Sequence, residues 1–380
     1  MRVTTCQALH TVSAASWDAL SDTEQPFVRH AFLAGLETHR CLEGHGWYPN
    51  HLLAYEGDTL VGALPLYSRD NSYGEFVFDW AWAEAYERAG GRYYPKIVSA
   101  IPFTPVAGPR LLLSANPLLA KAAATTLIDH AIDLAREHAM SSWHCLFPCE
   151  SQLALFTHED LVIREGCQYH WYNQGYVTFD DFLITLNSKR RKEIKRERRE
   201  LDTAGLTLEV VEGAAITSSH WDVFYGFYCD TFDRKFGAPR FTESFFYDLH
   251  AMLPGSPVLF LARDDSGYVA GAFALRDSNT LYGRHWGCRK FVKHLHFELC
   301  YYQTIDYCIR HGLQHLDAGA QGEHKIPRGF TPQKTWSTHW IRDPNFRRAV
   351  KDFCARESNH VGHYIEQLGE HSAYRISDAN

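Results

Sequence analysis

The sequence predicts a mixed α/β protein in which one fold occurs twice along the chain. Of its 380 residues, 45% are hydrophobic, 22% charged and 14% aromatic, a composition typical of a globular protein with a large core. At roughly 100 to 200 residues per domain, this length corresponds to about two domains. In each half of the chain, a hairpin is followed by a strand, a helix and a further strand. This repeated order indicates a tandem duplication.

The first half shows this order from residue 51 onward. Residues 51–67 are typical of a hairpin, because apolar and β-branched runs flank a turn. Residues 97–101 form the next strand. Ser114 or Asn116 can cap the helix that follows, which has proline in its first turn and apolar residues at helical spacing. Residues 143–147 complete this half as a strand.

The second half repeats the order. Residues 258–275 are typical of two strands joined by an Asp-Asp-Ser-Gly turn, and residues 281–288 of a third strand. A long helix is predicted for residues 295–310, with Gly312 as its C-terminal stop. Residues 313–318 then form the last strand of the repeat.

A hairpin, a third strand, a helix and a fourth strand make the core of the GCN5-related N-acetyltransferase (GNAT) fold. We therefore predict a tandem duplication of this acyl-CoA N-acyltransferase-like fold, with a mixed sheet in each copy. The boundary is expected after the stretch HWYNQGY. The predicted domains are residues 1–176 and residues 177–380, and the second begins with a basic helix.

Charge and cysteine content restrict the cellular setting. The chain has 38 Lys and Arg against 45 Asp and Glu, a formal net charge of −7, so any polyanion must bind a local patch. The N-terminus lacks the pattern of a secretory signal, and charges interrupt every apolar stretch before about 18 residues. Ten sparsely spaced cysteines indicate reduced thiols. We expect a cytoplasmic protein without an integral membrane segment.

Several chemistries lack their motifs. Neither a Walker loop, a G-x-G-x-x-G dinucleotide motif nor a G-x-S-x-G elbow occurs in the sequence. His144, Cys145 and Cys149 lie close together, but no second ligand pair at zinc spacing follows, so no metal site is expected. No cysteine has a setting that clearly activates it, which argues against a cysteine acyl-enzyme.

Residues 188–200, SKRRKEIKRERRE, carry eight basic residues and only three Glu. Such local positive charge in a net-negative protein favours a phosphorylated ligand, with Arg190, Arg191 and Arg196 as candidate contacts. An equally weighted alternative is a solvated helix with pairs such as Arg196 and Glu200.

Residues 317–330, DAGAQGEHKIPRGF, follow a predicted strand, where ligands bind in open α/β sheets. Glu323 and His324 are adjacent, so in an extended segment only one of them can face a given substrate. We favour His324 as general base, because an imidazole with a pKa of about 6.5 accepts a proton at neutral pH. The other expected substrate or donor contacts in this loop are Gln321, Lys325 and Arg328.

The loop also has an alternative interpretation, as a structural segment whose charges pair with each other. His285, on a predicted strand that borders the same cleft, is a second-rank candidate base. Alternatively, His285 is a core histidine whose hydrogen bonds are satisfied within the protein.

The first half carries two weaker candidates for binding. Residues 73–96 combine aromatic residues with carboxylates, which is typical either of a surface for a sugar or amine, with Asp79, Trp80 and Tyr93 in contact, or of a helix covering the sheet. Arg110 follows three turn-forming residues ahead of a helix and is a candidate anion contact.

Five runs in the sequence carry a resemblance to a known family: FVFDWAWAEAYERAGGRYYPK, PFTPVAGPRLL, KRRKEIKRERRE, LHFELCYYQTIDYCIRHGL and GAQGEHKIPRGF. They resemble bacterial FemAB-like N-acyltransferases, also described as peptidoglycan biosynthesis/recognition proteins, and the resemblance extends from about Phe27 to Arg342. That family is similar to the Fem aminoacyltransferases, which pair two acetyltransferase-like domains and use aminoacyl-tRNA. Here the helical arm of the Fem enzymes is not visible, since the only extended charged helix is predicted at residues 182–203. The glycine-containing acetyl-CoA loop is replaced by RKFVKHLH.

The resemblance implies transfer of an acyl or aminoacyl group to an amine by direct attack in a ternary complex. The expected co-substrate is acyl-CoA or aminoacyl-tRNA, with no permanently bound cofactor, and the acceptor is a small molecule or a cell-wall precursor. If the co-substrate is aminoacyl-tRNA, a tRNA is a partner of the protein. The alternative is a non-catalytic module that recognises peptidoglycan precursors or another phosphorylated glycan. The sequence leaves the donor, the acceptor and the oligomeric state open.

Overall fold

The computed structural model describes residues 1–234, 237–320 and 322–375. The predicted contact residue Gln321 therefore lies outside the described residues. Among the helices within these ranges, none is both long enough and apolar enough to cross a bilayer.

The described chain forms two compact units. The first comprises Met1–Gly166 and Lys334–His363, and the second comprises Cys167–Gln333 and the chain from Tyr364 onward. Both units are therefore discontinuous in sequence. The predicted domains assumed one contiguous segment each, and their boundary at residue 176 stays a prediction.

The described residues form fifteen strands. In chain order they are β1 Arg2–Cys6, β2 Trp47–Pro49, β3 His51–Glu56, β4 Thr59–Leu64, β5 Tyr67–Arg69, β6 Lys96–Ser99, β7 Leu112–Leu113, β8 Ser142–Leu146, β9 Leu161–Tyr172, β10 Thr207–Glu212, β11 Pro257–Asp264, β12 Gly267–Arg276, β13 Thr280–Cys288, β14 His315–Asp317 and β15 Thr331–Ile341.

The α-helices are α1 Ala14–Asp18, α2 His30–Thr38, α3 Trp80–Arg88, α4 Pro117–Glu137, α5 Phe179–Thr185, α6 Ser188–Asp202, α7 Ser218–Asp233, α8 Glu243–Met252, α9 Leu295–Phe297, α10 Gln303–Arg310 and α11 Pro344–Glu370. A π-helical turn, Glu298–Tyr302, joins α9 to α10. A short 3-10 helix spans Glu323–Arg328.

In the first unit, β3 and β4 form the hairpin predicted for residues 51–67, which confirms that prediction. They belong to an antiparallel sheet in the order β1-β3-β4-β7. In a second group of strands, β6 and β8 run parallel and α4 lies between them in sequence. Asn116, rather than Ser114, caps α4, because its side chain accepts the backbone N–H groups of Leu118 and Leu119.

In the second unit, the strand order is β10-β11-β12-β13-β14-β9. Neighbours are antiparallel except β13 and β14, which are parallel and are connected through α9, the π turn and α10. A parallel pair requires such a crossover. The core of this unit packs apolar residues of β11 and β12, such as Phe260 and Ala272, with helix residues such as Leu299 and Ile305.

Each unit thus contains antiparallel strands and one parallel pair whose strands are joined through a helix. This repeated topology confirms the predicted tandem GNAT-like fold with mixed sheets.

Two details differ from the expected elements. The charged helix predicted at residues 182–203 is two helices, because Asn187 accepts the N–H of Arg190 and begins a new helix, α6, there. The helix predicted at residues 295–310 has the expected bounds but is interrupted by the π turn.

Candidate active site

The candidate site begins where the parallel strands of the second unit stop pairing. β13 pairs with β14 from Thr280 opposite His315 to Tyr282 opposite Asp317. β14 ends at Asp317, whereas β13 continues to Cys288. The second half of β13 therefore has no β14 residue opposite it. A cavity of about 320 Å³ lies beside this part of β13.

A β-bulge shapes the strand wall of this cavity. Phe273 of β12 lies opposite His285, but the next residue, Ala274, lies opposite Gly283, so Arg284 is one extra residue on β13. A bulge bends its strand and redirects the side chains around it. As a result, four consecutive residues of β13 line the cavity.

The π turn shapes the helix wall. Cys300 and Tyr301, within the turn, line the cavity together with His296 before it and Thr304 after it. A π turn widens the helix locally, and such turns are frequent at functional sites.

A third wall comes from the segment after β14. Ala318 lines the cavity, and the 3-10 helix that follows places His324 and Lys325 there. Gly322 has a φ of 114°, and a Cβ at this position would lie 2.2 Å from a ring carbon of His324. Only glycine therefore permits this turn with the imidazole in its observed place.

His324 is exposed at this wall. Its Nε2 lies 2.7 Å from the hydroxyl oxygen of Tyr301. Partial burial, together with the cations Lys325 and Arg328, holds the pKa of the imidazole below its usual value. The ring is therefore neutral at pH 7 and can accept a proton.

His285 belongs to the bulged segment of β13 that lines the cavity, but its ring shares a face of the sheet with Phe273, its partner on β12. Its ring packs against Tyr228 and Phe241, with centroid distances of 4.8 and 5.3 Å. Burial, reinforced by Arg284, lowers the pKa of the imidazole to about 3. Its Nε2 is buried without a hydrogen-bond partner among the residues that the structure describes. The aromatic packing of the ring is that of a core histidine, the alternative interpretation of His285.

Two cations complete the cavity. Lys325 is only 1% exposed, and its Nζ donates to the Gly319 carbonyl oxygen at 2.5 Å. Burial lowers the pKa of Lys325 to about 8, although the carboxylate of Asp317 opposes this shift. Burial also lowers the pKa of Arg284 to about 10, again against Asp317.

Two predicted residues of the loop are absent from the described lining of the cavity. The carboxylate of Glu323 accepts a hydrogen bond of 2.6 Å from the Tyr364 hydroxyl. The guanidinium of Arg328 donates to both carboxylate oxygens of Glu197 at 3.0 and 3.2 Å and to the Tyr302 hydroxyl at 3.0 Å. Arg328 is buried in these contacts and fastens the 3-10 helix to α6.

A second cavity, of about 670 Å³, lies between α5 and α6. Phe179 and Asp180 of α5 line it, and Asp180 pairs with one of the cations at 3.1 Å. We call this cavity the basic groove. Its cationic residues, all on α6, are Arg191, Lys192, Lys195, Arg198 and Arg199.

Only one of the three arginines predicted to contact phosphate lines the basic groove as described, namely Arg191. Arg190 donates to Glu193 at 3.0 Å, and Arg196 lies 3.8 Å from Glu200. These two arginines form the ion pairs that the solvated-helix interpretation predicts.

In the first unit, Asp79 and Tyr93 are buried. The carboxylate of Asp79 accepts hydrogen bonds from Lys96 at 2.5 Å and from the Tyr93 hydroxyl at 2.7 Å. Burial opposes ionisation of Asp79, but Lys96 and His144 hold its pKa well below the usual value. These side chains form an internal network and not a surface for a sugar.

Trp80 and Arg110 also lie in the first unit. Trp80 is 43% exposed and packs edge-on against Tyr73 at 4.8 Å. Arg110 is fully buried, where it donates to the carbonyl oxygens of Leu146 at 2.8 Å and Val106 at 2.6 Å. Its guanidinium is therefore occupied by the turn in which a bound anion was expected.

Sequence reasoning did not name most residues of the described lining, among them Arg284, Trp286, His296, Cys300 and Tyr301. The first two flank a named candidate, so the strand pattern contained a signal for them. The other three share one wall only because of the π turn, which no sequence feature marked.

The fold and the cavity together define a tandem acyltransferase-like protein. The chain matches the model of the FemAB-like family, described as peptidoglycan biosynthesis/recognition, over residues 8–376, and it belongs to that family. No curated protein sequence matches it.

Solved structures share the fold at low sequence identity. FemX is 11% identical with a TM-score of 0.51, covering 83% of this chain and 93% of FemX. The C-terminal domain of a putative lysylphosphatidylglycerol synthetase from Agrobacterium fabrum is 9% identical with a TM-score of 0.52, covering 91% and 95% respectively. L-PGS from Bacillus licheniformis is 9% identical with a TM-score of 0.51, covering 87% and 96%.

The contacts of Arg328 generate the first testable prediction. Arg328→Ala leaves the buried carboxylate of Glu197 without its cation, so we expect the free energy of unfolding to fall by about 3–5 kcal/mol. Arg191→Ala is the matched control, and it should change the free energy of unfolding by about 1 kcal/mol or less. Urea unfolding measures both. A loss of ligand affinity in Arg328→Ala with unchanged stability would contradict the structural role.

Proposed function

We propose that the protein transfers an acyl or aminoacyl group to an amine in the cavity of the second unit. The observation that carries this proposal is that the neutral imidazole of His324 and the cation of Lys325 line one cavity. These groups supply the two things that amide formation requires, a proton acceptor and donors for a developing oxyanion.

The lowered pKa values divide the roles between the imidazoles. His285, with a pKa of about 3 and a ring packed among aromatic residues, is a poor proton acceptor. His324 is the better base. The ammonium of Lys325 is the donor to the oxyanion.

In the proposed reaction the amine nitrogen attacks the acyl carbon, and a C–N bond forms. His324 takes the proton that the amine loses. The bond to the leaving group breaks, and His324 returns this proton to the leaving group as it departs. Burial raises the pKa of Cys300, the cysteine in the described lining, so its thiol stays protonated and direct attack is preferred to an acyl-enzyme.

We place the phosphorylated part of the donor, either acyl-CoA or aminoacyl-tRNA, in the basic groove. The groove brings five basic residues of α6 to one cavity. The guanidinium of Arg198 lies 4.7 Å from the centroid of the Phe179 ring. The groove therefore presents both cations and an aromatic ring to a bound donor. The description of the family supports a cell-wall precursor as the acceptor, which implies a cytoplasmic site of action.

The pH dependence of turnover tests the assigned roles. Protonation of His324 inactivates the base, so the rate should fall at acidic pH. Because partial burial lowers the pKa of His324, this acidic limb should lie at a lower pH than a free imidazole would give. The rate should fall again as the pH rises past about 8, where Lys325 loses its charge. We expect His324→Gln to lose about 10²–10⁴-fold in kcat, together with the acidic limb.

Glu323→Gln is the matched control, since Glu323 is the neighbour of His324 and is bound by Tyr364. It should keep the rate and the acidic limb. Full activity of His324→Gln with an unshifted acidic limb would remove the assignment of His324. If no acyl or aminoacyl donor supports turnover while a phosphorylated glycan binds, the non-catalytic recognition module replaces the enzyme.

The role of the basic groove is tested by charge reversal. Arg191→Glu combined with Arg199→Glu should weaken binding of a phosphorylated donor, coenzyme A or tRNA, and reduce the salt dependence of that binding. Arg190→Glu with Arg196→Glu makes the same change in charge on α6 outside the described lining, and it should have the smaller effect. Equal losses in both double variants would show that net charge, and not the groove, attracts the donor.

A further inference from the structure

The lining of the active-site cavity differs between its walls. Toward β11 and β12, three apolar, buried residues line the cavity: Phe260, Ala272 and Ala274. Gly283 lies opposite Ala274, so the paired position on β13 adds no side chain to this wall. The hydrogen-bonding groups His324 and Lys325 lie on the opposite segment, after β14.

The apolar wall belongs to the core of the unit. Phe260 and the two alanines pack in the same cluster as Leu299 and Tyr302. A void lined by core residues costs stability, because the surrounding atoms lose packing contacts. A cavity of about 320 Å³ is at the small end of ligand sites, which span about 300–1,000 Å³, so it suits one acyl chain and not a whole nucleotide.

The charges of the lining exclude one kind of acyl group. Arg284 and Lys325 are cationic, and no carboxylate occurs among the lining residues within the described part of the chain. The carboxylate of Asp317 acts on both cations, while that of Glu323 is bound by Tyr364. An aminoacyl group carries an α-ammonium, which would be a third cation beside these two. Like charges at short range in a partly desolvated site repel each other strongly.

We propose that the cavity accepts an apolar acyl chain without a free α-amino group, so that the donor is an acyl thioester or ester and not an aminoacyl ester. The proposal rests on the proposed transfer function and selects between the two donor classes that it leaves open. The acyl chain lies against Ala272, Ala274 and Phe260, and the reacting carbonyl points toward Lys325 and His324.

Two pairs of small amides test the proposal by direct binding to the full chain. Hexanamide and norleucinamide differ by the α-amino group alone, and hexanamide and acetamide differ by chain length. We expect hexanamide to bind at least about tenfold more tightly than either partner at pH 7, which corresponds to about 1.4 kcal/mol. Ligand-observed NMR titration measures all three. Equal binding of norleucinamide, or of acetamide, would overturn the proposal.

Substitutions in the cavity wall test where the acyl chain binds. Ala274→Val fills the cavity and should weaken hexanamide binding at least about tenfold without lowering the melting temperature. Ala270→Val is the matched control on the same face of β12, fully buried and outside the described lining. It should lower the melting temperature, because overpacking a filled core is destabilising, and leave binding unchanged. Unchanged hexanamide binding in folded Ala274→Val would contradict the assigned wall.

A second filling variant covers the case in which Ala274→Val does not fold. A Cβ at Gly283 would meet its nearest heavy atoms at 3.6 Å, ordinary contact, so Gly283→Ala should fold and also weaken hexanamide binding. If the proposed transfer function is wrong, the experiments give a different result from the one that overturns the acyl-chain proposal. In that case hexanamide binds as expected, but hexanoyl-CoA and other hexanoyl esters acylate no amine.

Discussion

The candidate site depends on the early end of one parallel strand pair. β13 and β14 pair over three residues each, and β14 stops at Asp317 while β13 continues. Continued pairing would bring β14 residues against the bulged half of β13, where the cavity now lies. The bulge at Arg284 and the π turn then direct side chains toward that space. Each of these irregularities would weaken a regular sheet or helix, and here all three border the same cavity.

The electrostatics of the cavity follow from burial. Desolvation favours the uncharged form of each group, so the imidazoles of His285 and His324 are neutral and the pKa of Lys325 is lowered. A neutral imidazole can accept a proton or donate a hydrogen bond without first losing a charge. The remaining cations, Arg284 and Lys325, favour a ligand with negative charge, because a buried positive charge is stabilised by an oxyanion and not by an ammonium.

The tandem fold was predictable because its signals are local. Turn residues between apolar runs located the hairpins, and Asn116 and Gly312 marked helix ends that the structure confirms. The site was predicted only in part. His285, His324 and Lys325 were found because polar residues near strand ends are informative.

The errors in the candidate site share one cause, since sequence does not report burial. Arg110, Arg328 and Tyr93 are residue types that bind ligands, but here they satisfy internal hydrogen bonds. The π turn depends on tertiary packing, so Tyr301 could not be placed in the cavity beforehand.

The most direct test of the account is a crystal structure of the full chain with hexylphosphonamidate, a tetrahedral analogue of acyl transfer to an amine. The account predicts the hexyl chain against Ala272 and Ala274. It also predicts a phosphoryl oxygen within hydrogen-bonding distance, about 2.7–3.2 Å, of Lys325 Nζ. An analogue bound at another site, with this cavity left empty, would contradict the central claim.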